Sequence, residues 1–219
     1  SSAFTSARII VADASPLYSL AARFFLSGLI GVAIARAMGQ SWRLTPLQWR
    51  ATILFGICQN ALYLGLNFVA MQTVEAGLAS IIASALPLLV ALASWLVLRQ
   101  HLPPLGLFGL LAGMAGVGLI MGTRISQGVD LTGVVLCGIG VLALTFATMA
   151  VRGATSGGNF MMIVGLQMLV GGGVLLIAAF AFEDFRLNPT WPLLWAFLYT
   201  TIVPGLMATF VWFLLLDRI

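Results

Sequence analysis

The sequence predicts an all-α polytopic membrane protein, an inverted repeat of five-helix units with about eight of ten transmembrane helices present. Three observations carry this reading. Of 219 residues, 61% are hydrophobic and only 7% charged, against roughly 25% charged in a soluble domain. A soluble fold of this length must turn its outside to water and has nowhere to put so much apolar surface. The apolar residues are gathered into stretches long enough to cross a bilayer, which takes about 20 residues of helix. Finally, short motifs recur in the same order at a near-constant offset.

The spans follow one another closely. Ser1–Val11 is apolar but too short, and reads as the second half of a span. Pro16–Met38 comes next, with proline at a natural first-turn position. Leu47–Met71 and Val74–Leu98 are joined by a very tight turn, and Pro104–Gly122, Leu131–Val151, Asn159–Phe182 and Trp191–Leu216 complete the set. The connections are short and hold most of the charges. The 24 glycines fit close helix approach in a membrane, with Gly109, Ala112, Gly113 and Gly116 expected as one packing stripe.

Charge sets an expected orientation. Loops after the second, fourth, sixth and eighth spans hold Arg36, Arg43, Arg50, Arg99, Arg152 and Arg218 with one acid, Asp217. The opposite loops hold Asp13, Glu75, Asp130, Glu183 and Asp184 with Arg124 and Arg186. Arginine enrichment marks the cytoplasmic side, so the N-terminus is expected there. The net charge of +4 comes from ten arginines scattered singly and no lysine. A nucleic-acid face would cluster them, so no nucleic-acid partner is expected. Cys58 and Cys137 both lie mid-span and read as small apolar packing residues rather than a disulfide or metal pair.

The repeat is carried by Arg43-Leu44-Thr45-Pro46 against Arg186-Leu187-Asn188-Pro189, and by Leu47-Gln48-Trp49 against Leu193-Leu194-Trp195. Upstream, the run from Arg23 to Gly28 aligns with that from Gln167 to Gly172, and Phe4 sits over Phe146. The first unit is residues 1–122, the second 131–219. Five spans is an odd number, so the second unit enters the membrane from the opposite face, a common plan among secondary transporters with a mid-membrane site. Ile219 aligns with Thr73, so the first helix is expected to be partial and two further spans to follow.

Several segments resemble the drug/metabolite transporter superfamily in its EamA-type branch. Ala76-Gly77-Leu78-Ala79-Ser80-Ile81-Ile82 with Ala85-Leu86-Pro87 resembles that family's fourth helix, and Gly109 to Val117 its fifth. Ala21-Ala22-Arg23-Phe24 resembles its second helix. Leu98-Arg99-Gln100-His101-Leu102 resembles its usual turn, with Arg99-Gln100 in place of Gly-Glu. The resemblance implies ten helices in two inverted halves and export of amino acids, drugs or related metabolites across a bacterial inner membrane. In character it is nearest to aromatic amino-acid exporters of the YddG type.

Candidate cavity-lining residues follow from helical spacing. Asn60, Tyr63 and Asn67 fall on one face with Gly56. Buried amides in lipid are costly unless paired, so this face should meet protein or water. Interhelical hydrogen bonding has the same spacing. Ser80, Ser84 and Pro87 share a face of the next span, where proline frees a carbonyl one turn earlier. Tyr199, Thr200 and Pro204, with Thr209, mark a corresponding bend in the last span, and Thr148, with Thr5 and Thr145, flanks the matched phenylalanines. Arg8 and Arg23 are cations inside apolar runs, read either as satisfied ion pairs or as docking points for a substrate anion. Trp95 reads as an interfacial anchor.

No Asp, Glu, His or Lys lies at the centre of a span, and the sequence holds no metal-ligand cluster, Ser–His–Asp set or phosphate loop. No cofactor and no catalytic residue are expected. The expected partners are a small-molecule substrate, an amino acid or similar amphiphile, and the lipid bilayer. A sugar-phosphate or nucleotide-sugar exchanger would need more cavity cations. A membrane-embedded enzyme would need clustered acids or histidines, and a scaffold has no need of opposed halves.

Overall fold

The computed structural model describes residues 2–101, 103–126, 128–151 and 159–207. Arg152, Thr209, Asp217, Arg218 and the end of the last expected span lie outside them. The expected spans are helices: α1 (Ser2–Asp13), α2 (Pro16–Ala37), α3 (Pro46–Ala70), α4 (Ala76–Leu96), α5 (Pro104–Ser126), α6 (Leu131–Ala150), α7 (Phe160–Phe182) and α8 (Trp191–Thr200). From α2 to α7 each is long and apolar enough to cross a membrane. Large apolar side chains such as Leu105, Phe108, Leu119, Ile177 and Phe180 point outward, as a lipid environment requires.

Local chemistry starts several of these helices. Pro16 opens α2 and Pro46 opens α3, each at a first-turn position that has no amide to satisfy. At α3 a capping box closes the end: Gln48 N donates to Thr45 Oγ1 at 3.3 Å and Thr45 N to Gln48 Oε1 at 2.9 Å. Thr190 caps α8 with one half of that arrangement, its Oγ1 receiving Leu193 N at 3.3 Å. The two caps are 145 residues apart. In the second copy the Asn188-Pro189 half of the matched motif falls before the cap instead of on it. Asp130 caps α6, and the Thr73 hydroxyl (2.6 Å) holds its carboxyl below the usual carboxylate range, assisted by the Gly133 and Thr132 amides.

The acidic loops meet at one end of the bundle. Ser15 N donates to Arg186 O (2.9 Å), Asn188 N to Asp13 O (2.8 Å) and Thr190 Oγ1 to Asp13 Oδ2 (2.7 Å), so the α1–α2 corner is tied to the α7–α8 loop. Glu183 accepts Leu17 N at 3.0 Å, and burial pushes its carboxyl up from the ordinary range. Arg124 pairs with Glu75 at 3.9 Å. At the other end the α2–α3 loop meets the start of α7, with Met162 N donating to Gln40 Oε1 and Ser41 N to Asn159 Oδ1. The loops therefore alternate between two ends, as the span order demands.

Helices α2 and α7 form the central pair, with α3 packed on α6 and α7, α1 on α8 and α4, and α5 chiefly on α4. The backbones of the central pair touch. A Cβ on Gly165 would lie 2.8 Å from Val32 N and 3.1 Å from Gly31 C. Of the glycines in the expected α5 stripe, Gly113 meets Leu88, whereas Gly109 and Gly116 face open space among the described residues. Close packing falls to α2 and α7 because they are buried on several sides, whereas α5 lies at the margin.

Two helices change their winding. Helix α3 is π-helical over Gly56–Leu64, and α8 continues as a π-helical stretch over Thr201–Met207 that contains Pro204. The two stretches begin 145 residues apart, the same offset as the caps. Such i→i+5 segments are frequent at functional sites. Helix α4 is broken at Ala85, between Ala76–Ser84 and Leu86–Leu96, because Pro87 has no amide to continue the ladder.

Candidate functional site: a polar-lined cavity inside the bundle

Both π-helical stretches border a partly open cavity of about 520 Å³ lined by α1, α2, α3, α7 and α8, a volume in the range of small-molecule sites. Its lining reaches from Phe160, at the start of α7, to Met71, just past the end of α3, so it follows the long axis of the bundle. Phe4, Phe24, Phe68, Phe160 and Met168 give it apolar walls. Arg23, Gln59, Asn60, Asn67, Gln167 and Thr200 supply polar groups.

Asn60 is 1% exposed and donates its Nδ2 to Gln167 O at 3.0 Å, linking α3 to α7. The helices come this close because residue 171 is glycine: a Cβ there would stand 2.3 Å from Asn60 Cβ. Asn67 donates Nδ2 to Tyr63 O within its own helix (2.7 Å). Its Oδ1 is buried without a partner among the described residues. Two more buried polar atoms are unpaired in the same sense, Arg23 Nε and Ser27 Oγ, one turn apart on α2. An unsatisfied buried polar group costs about 1–3 kcal/mol, and three in one region, two of them on cavity-lining residues, mark it as built for something other than stability.

Of the residues chosen from sequence, Asn60, Asn67, Thr200 and Pro204 line this cavity together. The others lie elsewhere. Tyr63 is turned toward α6, where its backbone meets Gly140. The wider π winding brings Leu64 to the wall in its place. Ser80 and Ser84 donate to Gly77 O and Ile81 O of their own helix at 2.7 Å each, and exposed Pro87 sits at the α4 break. Thr148 and Thr145 likewise bond back to Leu144 O and Val141 O. Tyr199 shares a hydrogen bond with Ser2 Oγ (2.7 Å) between α8 and α1, outside the cavity. Trp95 is exposed near the end of α4.

Spacing alone missed Gln59 and Gln167. For Gln167 a signal existed, since the repeat sets it against Arg23, and both line the cavity. The two arginines inside apolar runs also separate. Arg8 is occupied by the carbonyls of Met71 and Val74. Arg23 is 8% exposed, stacks over the Phe24 ring at 5.2 Å and opens on the cavity. A second cavity of similar volume lies between the α1–α2 corner and the α7–α8 loop, but Tyr18, Trp191, Leu194, Phe197 and their neighbours make it almost wholly apolar. Convergent polar groups distinguish the central cavity.

Residues 1–122 match the EamA-like transporter family. The uncharacterized transporter YvbV of Bacillus subtilis (strain 168) is 26% identical over 206 residues, covering 94% of this chain and 67% of its own. The uncharacterized transporter sll0355 of Synechocystis sp. is 31% identical over 114 residues, 51% of this chain and 34% of its own. The chain thus spans about two thirds of one relative and one third of the other. No solved structure matches.

Proposed function

The chain belongs to the EamA-like transporter family, and from that premise we propose a secondary transporter that exports amino acids or related small amphiphiles across a bacterial inner membrane. The N-terminus lies on the cytoplasmic side, where the arginine-rich loops gather. The two units, 1–122 and 131–219, are inverted copies that rock around the central cavity in alternating access. No covalent chemistry is involved.

One observation carries this reading. Polar side chains converge in a cavity that runs along the bundle axis, between helices that correspond in the repeat: α2 with α7, and α3 with α8. Both α3 and α8 switch to π winding at matching positions beside it. These wider turns loosen the backbone ladder where a rocking helix would bend. A sugar-phosphate or nucleotide-sugar exchanger fits less well, because Arg8 is held by backbone carbonyls and leaves Arg23 as the one cationic side chain among the described lining residues.

The test is uptake by liposomes carrying the purified protein, with labelled L-phenylalanine, L-leucine and L-threonine. Time-dependent accumulation of at least one above empty liposomes is expected. Accumulation no greater than that of empty liposomes for all three would remove the amino-acid reading.

A further inference from the structure

We propose that Arg23 is the anchor for a carboxylate on the transported solute, so that the substrate class is monocarboxylate-bearing amphiphiles rather than amines or cationic drugs. This rests on the reading of the central cavity as the transport site.

A guanidinium buried within a membrane-spanning helix carries a desolvation penalty of several kcal/mol unless it is paired. Arg23 is 8% exposed, and neither a hydrogen bond nor an ion pair to its guanidinium is found among the described residues. The Phe24 ring offsets a little of the cost but satisfies no N–H. Four carboxylates among the described residues are engaged elsewhere. Asp13 receives Thr190, Glu75 meets Arg124, Asp130 receives Thr73 and Glu183 receives Leu17 N. Arg8, the other arginine in an apolar run, has two carbonyl acceptors. Arg23 therefore keeps an unmet need for an acceptor at the wall of a cavity sized for a small molecule.

A carboxylate meets that need in both geometry and charge. It accepts two parallel N–H groups from a guanidinium. One negative charge balances one positive charge, and the described lining holds no second cation. A phosphate dianion would leave a net negative charge against the phenylalanines and methionines of the wall, which is costly in a low-dielectric site. The rest of the lining complements the remainder of such a solute. Phe4, Phe24, Phe68 and Phe160 suit an apolar side chain.

The experiment uses the full chain in liposomes with four labelled probes: L-phenylalanine, phenylacetate, phenylethylamine and phenyl phosphate. The wild type is expected to take up L-phenylalanine and phenylacetate and to leave phenylethylamine outside. Arg23→Gln should raise the half-saturating concentration of both acids by about tenfold or more, as expected when one partner of a buried charge pair is removed. Arg23→Lys, which keeps the charge and loses the fork, should fall between. Should Arg23→Gln fail to fold, the selectivity of the wild type decides. Equal uptake of phenylethylamine and phenylacetate, unchanged half-saturation in Arg23→Gln, or preference for phenyl phosphate would overturn the anchor and leave the transport site standing. Uptake of none of the four, with L-leucine and L-threonine also left outside, would overturn the transport site itself, and the anchor with it.

Discussion

Asn67→Leu is expected to slow uptake by about tenfold or more while leaving the thermal midpoint unchanged or raised, since each lost tenfold corresponds to about 1.4 kcal/mol of interaction. The stability half of this expectation comes from the hydrogen-bond account of one side chain. Asn67 makes one bond, to Tyr63 O of its own helix, and leaves Oδ1 buried and unpaired among the described residues. Leucine removes a bond worth about 0.5–1.5 kcal/mol and also removes an unsatisfied acceptor costing about 1–3 kcal/mol. The two are of similar shape, so no cavity is opened. The transport half follows from position: Asn67 is one of the polar residues that line the central cavity. Uptake in liposomes and melting in detergent read the two halves separately. A lowered melting point with full uptake would assign Asn67 to helix packing.

Gly165→Val is expected to abolish the folded protein. The added Cβ would sit 2.8 Å from Val32 N, 2.9 Å from the Val32 side chain and 3.1 Å from Gly31 C. Two of those three atoms belong to the backbone of α2, so no rotamer change relieves the clash and the central helix pair must separate. Overpacking of a well-packed core costs typically about 1–3 kcal/mol and occasionally more; a clash with backbone lies in the upper tail, and parting the pair also gives up the contacts between α2 and α7, against a margin of about 5–15 kcal/mol. Loss of the monodisperse peak on detergent size exclusion is the expected readout. Gly173→Ala is the control, since its Cβ meets nothing within 4 Å among the described residues. A normal peak and melting point for Gly165→Val would mean that α2 and α7 do not meet there.

Most of the helix plan was legible in the sequence because each span is a long apolar run closed by charge, proline or glycine. Bilayer thickness fixes the length of such runs without reference to tertiary contacts. The site was legible only in part. Asn60, Asn67, Thr200 and Pro204 could be picked out because polar residues and proline stand out against an apolar helix. Tyr63 was placed on the same face by assuming α-helical spacing throughout, and the π stretch over Gly56–Leu64 rotates it away. No residue type announces a π turn. Ser80, Ser84 and Thr148 illustrate a second difficulty. A hydroxyl in a helix can satisfy itself on a carbonyl three or four residues back, so spacing does not tell a cavity wall from a lipid face. Arg8 and Arg23 look alike in sequence, and only the tertiary partners of Arg8 distinguish them. Gln167 came within reach because the motif alignment sets it against Arg23.

The central claim is that the cavity beside Asn60 and Gln167 is where the solute binds. Gln59 is half-buried, lines that cavity and lies in the π stretch. The most direct test is a Gln59→Cys variant in a background with Cys58→Ala and Cys137→Ala, labelled by a small polar thiol reagent in liposomes with and without L-phenylalanine. Labelling is expected to slow by about twofold when the solute half-fills the site, and by more as the site fills further. Labelling at the same rate with and without a solute that the protein transports would contradict the central claim.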